Sequence, residues 1–289
     1  EDCAEIESSK GRFQIDTLRC LPAPIRRLIS EKPKIDGPNC YNFANMTSGL
    51  QPFVRYVSET ESDYFVDPLA GYCTPIQGEP EPGDYAMITG RARGLSQAIH
   101  GYIYLNSTFA ITKNGSDKAE PWKIGRLEEI REKFMAPSNY VGSEKEHSID
   151  VTYYKCAAKG ESKTPAIRAL SKPLEAFGRA MEAPVLKRPI TAAMTHEIRR
   201  TLQGMRKAFS PQAIKALNAS GNRYEAMRPL LEVYSHIATF GQIDIGDVSG
   251  FETAKVGADF AKVREEYAAF VRDLVVKTDS QGLISQELL

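Results

Sequence analysis

Residues 37–44 read GPNCYNFA and place a cysteine at the predicted start of a helix. Asn39 belongs to the residue types that cap helix N-termini, so Cys40 falls in the first turn. The positive end of the helix dipole lowers the pKa of a thiol in that position and favours the reactive thiolate. This stretch therefore predicts a short helix whose first residue, Cys40, is a candidate nucleophile.

Residues 100–105 read HGYIYL and predict a β-strand that begins with a histidine. A thiol becomes an effective nucleophile when an imidazole lies close enough to take its proton. No other part of the sequence combines a thiol and an imidazole in such settings. We therefore predict that Cys40 is the nucleophile and His100 its base.

The imidazole of such a pair needs a polar partner on its other ring nitrogen. A further strand is predicted over residues 109–112, just after the histidine. Thr112 and Asn114 lie two positions apart and share one face of the extended chain, whereas Lys113 points away. We predict that Thr112 orients His100, with Asn114 as the second candidate.

Four further residues near these positions are candidate substrate contacts. Asn39 and Tyr41 flank the nucleophile, and Asp84 begins the strand predicted within PGDYAMI (82–88). Trp122 lies near the end of the segment that carries the catalytic candidates. Trp122 fits a place in the core as well as a place in the wall of a cleft.

The chain has five cysteines, so at least one of them stays unpaired inside the molecule. The chemistry proposed for Cys40 favours leaving that residue free. Several pairings of the other four are possible, and the simplest joins Cys3 to Cys20 and Cys73 to Cys156. Two disulfides predict a periplasmic or secreted protein, and the start at Glu1 suits a processed or trimmed chain. The alternative is a cytosolic protein with five reduced thiols.

The composition is that of an ordinary globular protein of 289 residues, with 42% hydrophobic residues. Lys plus Arg and Asp plus Glu number 37 each, which gives the whole chain no electrostatic preference for nucleic acid. No apolar run approaches the roughly 20 residues that cross a bilayer, so no transmembrane segment is predicted. His147, His196 and His236 show no ligand spacing with Cys, Asp or Glu, and we predict neither a metal nor a cofactor.

Charge is distributed unevenly along the second half of the chain. Residues 161–229 contain 13 basic and 5 acidic residues, whereas residues 230–289 contain 5 basic and 10 acidic residues. The basic residues, densest at Lys187-Arg188 and Arg199-Arg200, could form a surface for an anionic polymer. The alternative is a solvated helix surface without a partner.

The pattern of apolar residues changes near residue 160. Before it, short β-rich runs predict strands at 53–57, 84–88, 101–105, 109–112 and 149–154. After it, apolar residues recur three and four apart and predict helices at 164–181, 191–208, 211–219, 224–240 and 251–278. We therefore predict an α+β fold in which residues 1–160 form a domain with an antiparallel sheet and residues 161–289 form an all-α domain.

The chain resembles a papain-like cysteine hydrolase of the NlpC/P60 or a related cell-wall amidase type. The resemblance is carried by Cys40 at the start of a helix, by PGD at 82–84, and by His100 followed by IYL at 103–105. This resemblance covers about residues 30–135. It implies a compact papain-like domain in which the Cys40 thiolate attacks an amide carbonyl and water resolves the thioester. It also implies peptidoglycan peptides as the substrate, with the basic helices available to bind anionic wall polymers.

Two other functions are compatible with the sequence. A non-catalytic exported binding or inhibitor module would keep the fold and bury Cys40 as a structural thiol. A lipid acyltransferase or thioesterase would use the same thiol and would show a strongly apolar cleft.

Overall fold

The structure is a computed structural model, and it describes residues 6–9, 12–15, 23–30, 32–92, 95–136, 147–157, 164–220 and 223–279. Among these residues, six antiparallel strands form one sheet with the order β3-β8-β4-β5-β6-β7. The strands of this sheet are β3 (Cys73–Pro75), β4 (Tyr85–Ala92), β5 (Leu95–Tyr104), β6 (Phe109–Lys113), β7 (Trp122–Arg126) and β8 (His147–Cys156). A separate antiparallel pair consists of β1 (Ile6–Ser9) and β2 (Arg12–Ile15).

The described helices lie before, within and after the sheet region. They are α1 (Ala23–Ser30), α2 (Cys40–Thr47), α3 (Glu59–Val66), α4 (Leu127–Phe134), α5 (Pro165–Leu186), α6 (Ala192–Ala208), α7 (Pro211–Asn218), α8 (Arg223–Gly241) and α9 (Ala254–Asp279). No helix in this part of the chain is long and apolar enough to cross a membrane.

The predicted α+β class and antiparallel sheet are confirmed, as are the helices of the second half. The strand predicted at 53–57 is wrong, because this segment is an irregular connection between α2 and α3. Two of its carbonyl groups accept hydrogen bonds from side chains of α2 and its cap instead of from a neighbouring strand. Asn42 Nδ2 donates to the carbonyl of Phe53, and Asn39 Nδ2 donates to that of Val57. The papain-like fold and a separate helical domain stay predictions.

The two faces of the sheet carry different helices. Helix α2 packs against β5 and β6 on one face, which we call the α2 face; its core includes Tyr85, Ala98 and Ile111. Helix α4 covers the other face, the α4 face, where its Leu127 and Ile130 pack with residues of β4 to β6. The α2-face core continues into α5 to α9, so both predicted domains contribute to one hydrophobic cluster.

Phe53 shows how closely the irregular segment and α5 approach each other. Its ring lies directly against Gly178, and a Cβ at that position would overlap the ring. We therefore expect Gly178→Ala to destabilise the protein by roughly 1–3 kcal/mol through overpacking. Gly204, inside α6, faces open space, so Gly204→Ala should instead stabilise by about 0.5–1 kcal/mol through helix propensity. Urea unfolding of the two variants measures this difference, and equal stabilisation by both would contradict the tight contact.

A buried ion pair joins the irregular segment to α3 and α8. The Arg55 guanidinium forms a two-pronged contact with the Glu61 carboxylate and also donates to the carbonyl of Tyr56. Ser235 of α8 donates its hydroxyl to the same carboxylate. Both charged side chains are almost fully buried, so each charge depends on the other as its counterion.

Breaking this pair should cost far more than breaking an exposed one. We expect Glu61→Gln to destabilise the protein by about 3–5 kcal/mol, because it leaves the Arg55 charge buried without its counterion. Glu175→Gln removes the partner of exposed Arg179 in α5 and should cost less than about 1 kcal/mol. Guanidinium chloride would add ionic screening, so urea is the suitable denaturant. Similar losses in the two variants would show that the buried pair does not hold these elements together.

The disulfide predicted between Cys73 and Cys156 is present and joins register partners of β3 and β8. Cys40 is a free thiol, as predicted. Cys3 and Cys20 lie outside the described residues, so their pairing stays a prediction. The disulfide is compatible with the predicted extracellular location.

Candidate functional site

The start of α2 is built by Asn39, whose predicted role as the N-cap is confirmed. Its Oδ1 accepts a hydrogen bond from the backbone N–H of Asn42 at 3.0 Å, while its Nδ2 is used by the carbonyl of Val57 at 2.7 Å. Both ends of the amide are therefore occupied by the fold. Asn39 positions Cys40 in the first turn and is buried beside it.

The Cys40 side chain is 5% exposed and lies between α2 and β5. Burial raises the pKa of the thiol to about 11, although the backbone N–H groups of Gly101, Tyr41 and Cys40 itself act in the opposite direction, as does the charge of Lys113. The thiol is therefore protonated near neutral pH in this structure. The amide groups would stabilise a sulfur anion once it formed.

Gly101 makes this arrangement possible because it has no side chain. A Cβ at this position would lie 3.1 Å from Tyr85 Oη and 3.4 Å from the Cβ of Ala44 in α2. The helix can therefore approach β5 closely enough for the Gly101 amide to reach the Cys40 sulfur.

His100 lies on the α4 face, and the structure does not bring its side chain together with that of Cys40. Its ring is fully buried and stacks on Phe134, the last residue of α4, with 3.6 Å between ring centroids. Burial, aided by the charge of Lys133, lowers the pKa of His100 to about 3, so the ring is neutral. The predicted Cys40–His100 contact is therefore absent from this arrangement.

A β-bulge explains why His100 faces away from α2. In the pairing of β4 with β5, Ile88 lies opposite His100 and Thr89 lies opposite Ala98, which leaves Ile99 as an extra residue. Ala98 points to the α2 face. Without the extra residue, alternation would place His100 on the same face as Ala98, beside α2.

The predicted partner of the imidazole is present. His100 Nε2 lies 2.8 Å from Thr112 Oγ1, and that hydroxyl donates to Asn114 Oδ1 at 3.5 Å. Which of the two atoms donates in the His100–Thr112 bond depends on the tautomer of the ring. Nδ1 is buried without a hydrogen-bond partner.

The remaining predicted substrate contacts are integrated in the fold. Tyr41 and Trp122 are buried in the α2-face cluster, and neither the Tyr41 hydroxyl nor the Trp122 indole N–H has a hydrogen-bond partner. Asp84 accepts from the backbone N–H of Glu81 at 2.6 Å and pairs with Lys155 Nζ at 3.2 Å. These contacts place Asp84 in the turn before β4, and the substrate roles of all three stay predictions.

Lys113 is a residue near the thiol that the sequence did not single out. Its side chain is fully buried, and its Nζ donates to the carbonyls of Gly115 at 3.0 Å and Asp117 at 2.7 Å. Burial lowers the pKa of Lys113 to about 8, against the effect of nearby negative groups that include Cys40. Strand alternation did predict that Lys113 points away from Thr112, but the sequence does not show that α2 covers that face.

The densest basic pairs of the second half are partly neutralised by neighbouring acidic residues. Arg199 lies 3.5 Å from Glu266 of α9, and Arg188 lies 3.9 Å from Asp247. Arg200 forms an exposed ion pair with Glu197 in its own helix. Two of the positive charges of residues 161–229 are therefore paired with acidic residues of the last part of the chain, and binding of an anionic polymer stays a prediction.

Among the three other histidines, His196 is exposed and His236 is buried against Phe177. The side chain of His147 is not described. No group of three or more His, Cys, Asp or Glu suited to a metal occurs within the residues the structure describes.

Comparison of the chain with models of protein families, with curated proteins and with solved structures finds no match.

The buried neutral His100 should make stability depend on pH. Its pKa is about 3 in the folded protein and 6.5 as an ordinary side chain, so the unfolded chain binds the proton first as pH falls. Its contribution is complete above about pH 6.5 and is progressively lost toward pH 3. Between pH 7 and pH 5 we expect the wild type to lose about 2 kcal/mol more stability than His100→Gln. Urea unfolding of the two proteins at pH 7 and pH 5 measures this difference in the free energy of unfolding.

The exposed His196 provides the control for this measurement. His196→Gln should retain the wild-type pH dependence, because His196 is exposed on α6 and lies outside the buried environment of His100. Loss of the same pH dependence in both variants, or in neither, would contradict the burial of His100.

Proposed function

We propose that this chain is an exported cysteine hydrolase that cleaves amide bonds through a thioester on Cys40. The observation that carries the proposal is the position of Cys40 at the N-terminus of α2 beside β5, where backbone N–H groups of Cys40, Tyr41 and Gly101 act to lower the pKa of the thiol. Such groups stabilise negative charge on the sulfur, and similarly placed donors stabilise the oxyanion of an acyl-transfer intermediate.

The reaction divides into two steps. The Cys40 thiolate attacks the carbonyl carbon of the amide, the amine leaves with a proton, and a thioester remains. Water then attacks the thioester and releases the acid and the thiol. The Cys40 N–H is one candidate donor to the oxyanion, because it lies at the N-terminus of α2.

His100 is the base that the resemblance to papain-like hydrolases implies. It would have to reach the α2 face before it could take the thiol proton. If the extra residue of the β-bulge lay after His100 instead of at Ile99, the His100 ring would point to the α2 face. The reason is that a shift of one residue inverts the alternation of side chains between the two faces of a sheet. His100 would then lose its contacts with Thr112 and Phe134.

Peptidoglycan peptides are the substrate class that accompanies this proposal. They follow from the resemblance to cell-wall amidases, and they are compatible with the Cys73–Cys156 disulfide. The helices α5 to α9 would then support the catalytic part or contact the wall.

A non-catalytic exported binding module is the second candidate, and a specific observation favours it. The thiol is buried and protonated near neutral pH, and the imidazole faces the other side of the sheet. A structural cysteine has this environment.

Digestion of purified peptidoglycan separates the two functions. The wild type is expected to release peptides or amino acids that mass spectrometry detects, and Cys40→Ala is expected to lose at least about a thousandfold in rate, as when a nucleophile is removed. Circular dichroism of Cys40→Ala provides the folding control. Equal product from both proteins would exclude Cys40 as the nucleophile.

Alkylation of the native, unreduced protein gives an independent result. Iodoacetamide treatment followed by peptide mapping is expected to label Cys40 and to abolish hydrolysis. A Cys40 that stays unlabelled in the native protein at about pH 8, but reacts after unfolding in urea, would support the non-catalytic module instead.

A further inference from the structure

We propose that Lys113 is the cationic partner of Cys40 and that the two form a cysteine–lysine pair on the α2 face. This inference rests on the proposed function of Cys40 as a nucleophile. It assigns to Lys113 an electrostatic role beside the thiol, which differs from the role of base that the sequence predicts for His100.

The register of β6 places Lys113 on the side of the sheet that carries the thiol. Ala110 and Thr112 point to the α4 face, where Thr112 meets His100. Ile111 belongs to the α2-face cluster that also contains Cys40, and Lys113 follows it by two residues. Helix α2 packs against β6 as well as β5, so the lysine and the start of the helix belong to one layer.

The contacts of Lys113 leave its charge without a bonded carboxylate. Its two hydrogen-bond acceptors, the carbonyls of Gly115 and Asp117, are neutral groups. An ammonium group has three donors, so one donor remains in addition to these two contacts. A buried lysine is costly unless its charge interacts with an anion or its amine loses the proton. A thiolate at Cys40 would supply the first of these conditions.

The loop that holds Lys113 is tied to the segment that leads into α2. The N–H of Gly37 donates to the carbonyl of Ser116 at 2.8 Å, and the N–H of Lys118 donates to Asp36 Oδ1 at 2.8 Å. Gly37 has a φ of 126°, a conformation that other residues rarely adopt. The loop of residues 114–118 therefore covers the same end of α2 at which Cys40 begins the helix.

The electrostatic effects of the two groups are reciprocal. The Lys113 charge lowers the pKa of Cys40, and a negative Cys40 raises the pKa of Lys113. Asp117, Glu120 and Asp36 act on Lys113 in the same direction as Cys40. Lys113 therefore lies in the electrostatic environment of the thiol.

The role of Lys113 in this pair is electrostatic. A positive charge at Lys113 favours the thiolate of Cys40 over the thiol, and the thiolate uses its electron pair to bond to the substrate carbonyl. Because Nζ donates to the carbonyls of Gly115 and Asp117, its charge acts on the sulfur through space.

Rates of Cys40 alkylation test the inference directly. Native wild type, Lys113→Met and Lys123→Met are treated with iodoacetamide between about pH 6 and about pH 10, and labelling of Cys40 is followed by mass spectrometry. We expect Lys113→Met to react about tenfold more slowly at pH 8 and to show its rate increase about one pH unit higher, which is the effect of losing one nearby positive charge. Lys123→Met removes an exposed lysine of β7 and should match the wild type.

Two further variants separate charge from packing. Lys113→Gln keeps a polar group for the two carbonyls but lacks the charge, so it should react as slowly as Lys113→Met and serves if that variant unfolds. Lys113→Arg keeps the charge and should recover most of the wild-type rate near neutral pH. Circular dichroism at each pH confirms that every protein measured is folded.

The outcomes distinguish this inference from the proposed function. Wild-type reactivity in folded Lys113→Gln, or an equally slow reaction in Lys123→Met, would overturn the cysteine–lysine pair while leaving Cys40 as the nucleophile. Absence of Cys40 labelling in the native wild type at every pH would overturn the nucleophile and the pair together. Lysine-dependent labelling without peptidoglycan cleavage would support the pair and reject only the substrate.

Discussion

The close approach of α2 to β5 at Gly101 is the constraint on which the candidate site depends. Because Gly101 has no side chain, its amide can lie beside the Cys40 sulfur, and the helix can pack on the central strands. The same approach buries the thiol, which raises its pKa more than the amides and Lys113 together lower it. The structure thus contains the groups that would stabilise a thiolate in an environment that favours the thiol.

Electrostatic balance within the fold is as important as hydrophobic packing. The acidic Glu266 of α9 lies beside the basic Arg199 of α6, so these two segments of opposite charge excess are in contact through an ion pair. At the junction of the two halves, Arg55 and Glu61 neutralise each other in a buried position. Lys113 differs from these cations because its direct partners are neutral carbonyls, and this difference is why a thiolate would be a suitable neighbour.

The pairing of His100 with Thr112 was predictable because it depends on two adjacent strands and on simple alternation. The pairing of Cys40 with His100 was not a local question. It required knowing which face of the sheet carries α2 and whether β5 contains an extra residue. The bulge at Ile99 has no clear signal in the sequence, and it is sufficient to place the imidazole on the other face of the sheet from the thiol.

Local patterns in the sequence determined the α+β class, the cap at Asn39, four of the six strands of the sheet and the helices of the second half, and they made Cys73–Cys156 part of the simplest of several pairings. These features follow from residue periodicity, capping chemistry and cysteine pairing, which act mainly between residues near in sequence or aligned across strands. Only the tertiary structure decided that residues 53–57 are irregular, that His100 contacts Phe134 and that Lys113 shares a face with Cys40. The physical reason is that side-chain environment depends on long-range packing: a single bulge or the face chosen by one helix changes which groups meet, while the local pattern stays the same.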